Sequence, residues 1–262
     1  MTRIFKHRFF FVFVLLGLVI LFFIAYPLLK MIFSSDPGRL WETLLDEEVR
    51  DVILLTIYAA LIATIAGIIF GVPLAYVLAR RNFPGKKLVE AIIDVPIVVP
   101  HTAAGIALLF AFGRLSPLGK AFDALNIGFV GTVAGIIIAM MFVSIPFLVD
   151  SAREGFKSVD PRLENVARTL GASQRKTFFQ ISLPLAWRSI LSGSALMWAR
   201  GISEFGAVVI LAYHPMIAPV LVYERFENYG LEWSRPVAVL VILIAIVVFI
   251  VLRYIAQWGE KS

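Results

Sequence analysis

Cysteine is absent from the 262 residues, which excludes disulfides, thiolate-ligated metals, iron–sulfur clusters and thiol nucleophiles. Histidine is nearly absent. His7, His101 and His214 lie far apart with no carboxylates at ligand spacing, so we expect neither a bound metal nor a catalytic residue. Charge is scarce as well: Asp, Glu, Lys and Arg make up 16% of the chain against 60% hydrophobic residues, and the mean hydropathy is +0.89. No soluble domain of this size carries such a surface, so the chain is an integral membrane protein in contact with a lipid bilayer. Long polar linkers and low-complexity tracts are missing, and residues 1–262 read as a single membrane domain. A nucleotide site is missing too. Gly113-Arg-Leu-Ser-Pro-Leu-Gly119-Lys120 imitates a phosphate-binding loop, but five residues separate its glycines instead of four, and Ala121 stands where a magnesium-binding Ser or Thr belongs.

What is present is a succession of six apolar runs: Phe9–Leu29, Val52–Leu78, Leu88–Phe112, Phe129–Val149, Leu185–Ala212 and Pro236–Tyr254. Each supplies about twenty apolar residues, the length that crosses ~30 Å of hydrocarbon as a helix. The expected fold is all-α with six transmembrane helices. The first run is longer than a signal-peptide core and lacks a small-x-small cleavage site, so it reads as a retained span. The third is interrupted by Asp94, Pro96, Pro100 and His101, which predicts kinked first turns and puts His101 near the inner helix end. Paired glycines at Gly67/Gly71 and Gly131/Gly135 predict close helix contacts in the second and fourth spans.

Lys and Arg concentrate in the N-terminus, in the second connection (Arg80, Arg81, Lys86, Lys87) and in the polar segment 150–184. By the positive-inside rule both termini and segment 150–184 are cytoplasmic, and the chain is a multi-pass protein of the cell membrane. This arrangement accounts for the net charge of +6 without an anionic ligand or a nucleic-acid partner.

Two polar clusters lie within the apolar runs. In Trp198-Ala-Arg-Gly-Ile-Ser-Glu-Phe-Gly206, Arg200 and Glu204 fall one helical turn apart near the bilayer centre, where each unpaired charge costs about 2.5–3.5 kcal/mol on insertion scales. Either the two pair and fix packing, or one of them, with Ser203, lines a pore or gate. Asp94, Pro96, Pro100, His101 and Thr102 form the second cluster; it is either a simple kink or a stretch of freed backbone at a water-filled path.

The most distinctive stretch is Arg162–Pro184, RLENVARTLGASQRKTFFQISLP. Leu163, Val166, Ala167 and Leu170 recur at helical spacing, with Glu164, Arg168 and Thr169 on the other sides. Gly171 is predicted to stop this helix, and Pro184 to force a break before the next hydrophobic run. Gly171 followed by nine residues, Ile181 and then Leu183-Pro184 resembles the cytoplasmic signature loop of permease subunits of binding-protein-dependent ABC importers. The family's loop begins Glu-Ala-Ala; here those positions are Asn165, Val166 and Ala167, with a glutamate one residue early at Glu164. From Tyr58 to Arg253 the chain is similar to the molybdate/tungstate branch of that family, through PLAYVLARRNFPGK, DVPIVVPHTAAGIALL, SVDPRLENVARTLG and WARGISEFGAVVILAYHPMIAPVLVYER.

The resemblance implies the type I importer permease fold, with a cytoplasmic coupling helix between spans 4 and 5 whose residues Leu163 to Gly171 dock on a separate ATPase. It implies a homodimer with the pore between two copies, a cytoplasmic ATP-binding-cassette ATPase dimer that holds the ATP and magnesium, and an external oxyanion-binding protein. The chain would be no enzyme and would bind no cofactor. Arg200, Ser203, Glu204, His101 and Thr102 are the candidates for the translocation path. Two alternatives stay open: a permease for sulfate or another oxyanion, and an ion-coupled carrier using Arg200, Glu204 and Asp94 as relay groups.

Overall fold

The computed structural model describes residues 2–258, with side chains from Phe9 to Val248 and at Ile250. The described residues form helices and no strands: α1 (Thr2–Phe33), α2 (Pro37–Leu45), α3 (Glu47–Arg80), α4 (Lys86–Val98), α5 (His101–Phe112), α6 (Pro117–Asp123), α7 (Val133–Ser158), α8 (Pro161–Thr169), α9 (Gln174–Thr177), a π-helical turn (Phe178–Ser182), α10 (Leu183–Ile202), α11 (Gly206–Leu211), α12 (Ala218–Tyr229) and α13 (Leu231–Trp258). Among the described residues four helices, α1, α3, α7 and α13, are long and apolar enough to cross a membrane, and α4 with α5 makes a fifth if that pair is one broken span.

Helix α7 is the centre of the bundle, packed along α3 on one side and α10 on the other. The close approach rests on glycine. A Cβ at Gly67 would lie 2.5 Å from the Met197 side chain, and one at Gly71 would lie 3.1 Å from Val149, so this pair admits side chains of α10 and α7 as the sequence predicts. The second pair behaves otherwise. Gly131 lies outside the helix with φ +67°, and Gly135 sits at the start of α7 where a Cβ would strike the Phe129 carbonyl. This pair serves a turn first, with Gly135 also lying close to Ala212 just past α11.

Three expectations are corrected by the backbone. The third run, expected to be kinked or irregular in its first turns, is broken into two helices: α4 and α5 meet at 118° around Val99–Pro100. Pro100 cannot donate to the preceding turn and its ring excludes helical backbone at Val99, so the ladder restarts at His101. The fifth run is broken between Ile202 and Gly206, and α10 and α11 are separate helices. Finally, Pro184 breaks nothing. It occupies the first turn of α10, and the preceding turn widens so that the Leu183 N–H reaches the Phe178 carbonyl. A π turn of this kind accommodates a residue that has no N–H to give.

Apolar packing separates into three clusters. One, around Met140, Leu211 and Ile217, joins α3, α5, α7 and α11; another, around Phe156, Leu148 and Ile190, joins α3, α7 and α10 near the Arg80 end. The third, Val49, Val52, Ala218, Leu221, Val237 and Leu240, ties α12 and α13 to the start of α3. The loop before α12 turns inward at Ile217 and Ala218, both buried, and the Ala218 N–H donates to Thr56 Oγ1 at 2.8 Å.

Candidate functional site

Helix α8 is specified at both ends by local chemistry. Asp160 caps it, accepting from the Arg162 N–H at 2.9 Å, and Pro161 occupies the first turn, where its missing N–H costs nothing. At the other end Gly171 has φ +87°, the Ala172 N–H bonds back to the Ala167 carbonyl and the Gly171 N–H to that of Arg168. This pair of reversed bonds satisfies the last carbonyls and stops the helix at the predicted residue.

The helix is fastened from behind. Glu164, 8% exposed, accepts from Arg80 Nε at 2.7 Å and from Ser182 Oγ at 2.8 Å, and Arg80 also donates to the Val159 carbonyl at 3.0 Å. Beneath it Tyr76 packs edge-on against Phe156 and Phe178. One carboxylate therefore joins α8 to the ends of α3 and of the π turn. The glutamate expected to face a partner faces inward instead, where it pairs with the nearly buried Arg80 guanidinium. What α8 turns outward is Leu163, Val166 and Leu170, the last 82% exposed, along with Asn165, Arg168 and Thr169, which line a shallow groove with Ala172. Ala167 is half-buried between the two faces.

The second centre lies where both broken runs meet. Glu204, fully buried, accepts from the Ala207 N–H at 2.8 Å through Oε1, and through Oε2 it meets Arg200 Nη2 at 2.9 Å and His101 Nδ1 at 2.7 Å. Arg200 Nη2 also lies 2.7 Å from His101 Nδ1 and 2.9 Å from its Nε2, so the three side chains form one hydrogen-bonded group. Gly206 makes the junction possible: a Cβ there would lie 2.7 Å from that of His101 and 3.1 Å from the Thr102 amide.

The expected Arg200–Glu204 pair thus forms, but His101, expected at a shallow helix end, belongs to it. The 118° turn brings the head of α5 to the break after α10. Thr102 contributes backbone only, its side chain being exposed, and Asp94 lies in α4 beyond the turn, outside this hydrogen-bonded group.

Arg200 and Ser203 have a second face. Arg200 Nη1 reaches Ser203 Oγ at 3.3 Å, and both residues line a cleft of about 860 Å³ between α10, α12 and α13, with Phe205, Tyr223, Ser234 and Arg235 among its walls. Arg235 was not marked by the sequence: as a single arginine ahead of an apolar run it looks like an ordinary interfacial anchor.

Comparison with known proteins places this geometry in a family. Over 249 residues the chain is 47% identical to the molybdate/tungstate transport system permease protein WtpB of Pyrococcus furiosus, covering 94% of this chain and 95% of that one. It is 32% identical over 224 residues to a probable sulfate transport system permease protein, cysT, of Chlorokybus atmophyticus, covering 84% and 78%. A similar fold occurs in the crystal structure of a bacterial alginate ABC transporter in complex with its pentasaccharide-bound periplasmic protein, at TM-score 0.76 and 15% identity over 98% of this chain and 97% of the other. The profile of the family described as binding-protein-dependent transport system inner membrane component matches residues 67–261, and the chain belongs to that family.

Proposed function

We propose that this chain is the pore-forming subunit of an ATP-driven importer for molybdate or tungstate, working as a pair of identical copies. The observation that carries the reading is α8, a capped surface helix that is fixed to the membrane bundle through Glu164 and Arg80 while its apolar residues Leu163, Val166 and Leu170 face outward. Such a helix is built to pass a push from an external partner into α3 and α10. The partner is a cytoplasmic ATP-binding-cassette ATPase dimer, which holds the ATP and magnesium; it docks on the stretch Leu163 to Gly171 through the outward residues, while Glu164 holds the helix from behind.

In this reading six spans are completed by counting α4 with α5 as one and α10 with α11 as another. Both termini and α8 lie in the cytoplasm, and an external binding protein delivers the oxyanion to the opposite face. ATPase closure draws the α8 helices of the two copies together, and the rigid Glu164–Arg80 link turns that movement into a tilt of α3 against α7. Arg200 and Ser203 stand at the translocation path, with Glu204 and His101 holding Arg200 from behind and Thr102 next to His101. The choice of molybdate or tungstate is supported by the 47% identity to a permease of that name. The 32% identity to a sulfate permease supports sulfate as the second reading.

The test is uptake of labelled tungstate and molybdate into liposomes holding this chain, its ATPase and its binding protein, with sulfate as competitor. Uptake that requires all three proteins and ATP, and is indifferent to sulfate, is the expected result. Uptake abolished by sulfate would move the cargo while keeping the mechanism. Uptake driven by an ion gradient without ATP would overturn the reading.

A further inference from the structure

The cleft of about 860 Å³ is lined mostly by apolar side chains, yet the two ionisable groups of full charge on its walls, Arg200 and Arg235, have the same sign. Among the described residues no carboxylate lines it. Hydroxyls do: Ser203, Tyr223 and Ser234. The carboxylate that pairs with Arg200 is Glu204, which is fully buried behind the guanidinium and away from the cleft, so it orients Arg200 through Nη2 and leaves Nη1 and Ser203 on the open side.

Arg235 lines the same cleft from α13. It also borders a small polar pocket with Asp36, Arg39 and Glu232, and its described hydrogen bond is to the Ser34 carbonyl at 2.9 Å, a neutral partner. Guanidinium groups present planar forks of donors suited to the paired oxygens of an oxyanion, and hydroxyls add donors without repelling it. In low-dielectric surroundings two cations that are not fully neutralised attract a divalent anion far more strongly than they would in water, and they penalise any cation.

We propose that Arg235 and Arg200 are successive contacts for a tetrahedral oxyanion crossing this cleft, Arg235 at its polar mouth and Arg200 with Ser203 at its inner end. Glu204 and His101 are positioning residues that hold Arg200 in place and moderate its charge, so that the anion is passed on and does not stay. This rests on the oxyanion-import reading above and adds to it the side chains that the cargo touches.

The test uses the complete transporter in liposomes, with this chain, ATPase and binding protein, and reads tungstate uptake together with binding-protein-stimulated ATP hydrolysis. For Arg235→Gln the tungstate carried per ATP hydrolysed should fall roughly tenfold, the effect of losing about one charge-assisted contact. The hydrolysis rate should stay within about twofold of wild type, and Arg235→Lys should restore a substantial part of the transport. Arg200→Gln should act in the same direction.

If wild-type liposomes take up no tungstate, the import reading itself fails. If wild type transports and Arg235→Gln carries as much tungstate per ATP, the import reading stands and the proposed contact is wrong. A parallel loss of uptake, ATP hydrolysis and assembly with the ATPase in Arg235→Gln, unrelieved by lysine, would assign Arg235 to structure alone and equally overturn the proposal.

Discussion

Glu164 of a nine-residue surface helix accepts a 2.7 Å hydrogen bond from Arg80, which lies 84 positions earlier at the end of a 34-residue helix, and each of the two side chains is 11% exposed. Breaking a buried pair from one side strands the other charge, at a cost of about 3–5 kcal/mol. Arg80→Ala is therefore expected to loosen α8 and abolish tungstate uptake, with the ATPase no longer co-purifying in detergent. Glu164→Gln keeps an acceptor for Arg80 and Ser182 and should lose less. Normal co-purification and uptake in Arg80→Ala would show that this pair does not hold α8.

Gly171 sets where α8 stops. Its φ of +87° is disfavoured for every residue with a Cβ, while nothing lies within 4 Å of where that Cβ would stand. The penalty is thus conformational and unaccompanied by a clash. Gly171→Ala should cost about 1–2 kcal/mol locally and reduce ATP-coupled uptake while leaving the unfolding temperature of the membrane bundle nearly unchanged. Gly171→Arg adds a bulky cation to the docking face and should abolish uptake. Full activity in both variants would remove this turn from the coupling mechanism.

How much of this was legible in the sequence depended on the range over which each feature is determined. Gly171, the apolar spacing from Leu163 to Leu170 and the Arg200–Glu204 pair are set by neighbours within a turn or two, and the structure has them where expected. The outcome at Pro184 was not legible, because a proline reads as a stop unless the preceding turn can widen, and that depends on how Phe178 packs against Tyr76 and Phe156. The inward turn of Glu164 and the arrival of His101 at Glu204, 103 positions away, are products of tertiary placement. No periodicity encodes that α5 leaves α4 at 118°. One signal was available for Arg80: a glutamate on an otherwise apolar and basic helix needs a cation, and Arg80 and Arg81 close the second span.

The seam between α7 and α10 offers a test of packing alone. A Cβ on Gly193 would lie 2.7 Å from that of Ser151 and 3.2 Å from the Leu148 Cα. Ser151 is already held by its bond to the Ser189 carbonyl at 2.7 Å, so it cannot simply turn away. Gly193→Ala should force the helices apart, lowering stability by about 1–3 kcal/mol as overpacked cores do. Gly17→Ala, in the unencumbered α1, should leave the detergent unfolding temperature unchanged. Equal unfolding temperatures for both variants would mean that the α7–α10 contact is looser than described.

The far end of the bundle carries a pH-sensitive tie. Arg225 of α12 donates to Asp46 at 2.8 Å and to Glu48 at 3.0 Å, joining the wall of the cleft to the start of α3. Partial burial alone would raise the Asp46 carboxyl, but the hydrogen bond and charge of Arg225, helped by the Glu48 and Val49 backbone N–H groups, outweigh it and hold its pKa below the ordinary 3.8. A folded-state pKa that is depressed contributes stability fully above the unfolded value and loses it as pH falls through the folded one. The tie is therefore intact at neutral pH and weakens only in acid, below about pH 4. Unfolding temperatures of wild type measured from neutral pH into this range should fall more steeply than those of Asp46→Asn, which has no charge to lose. In Arg225→Gln the Asp46 pKa loses its main depressing influence, so the difference between its folded and unfolded values closes and the acid limb should flatten towards that of Asp46→Asn. Parallel curves for wild type and Asp46→Asn would show that this carboxylate contributes nothing to holding α12 against α3.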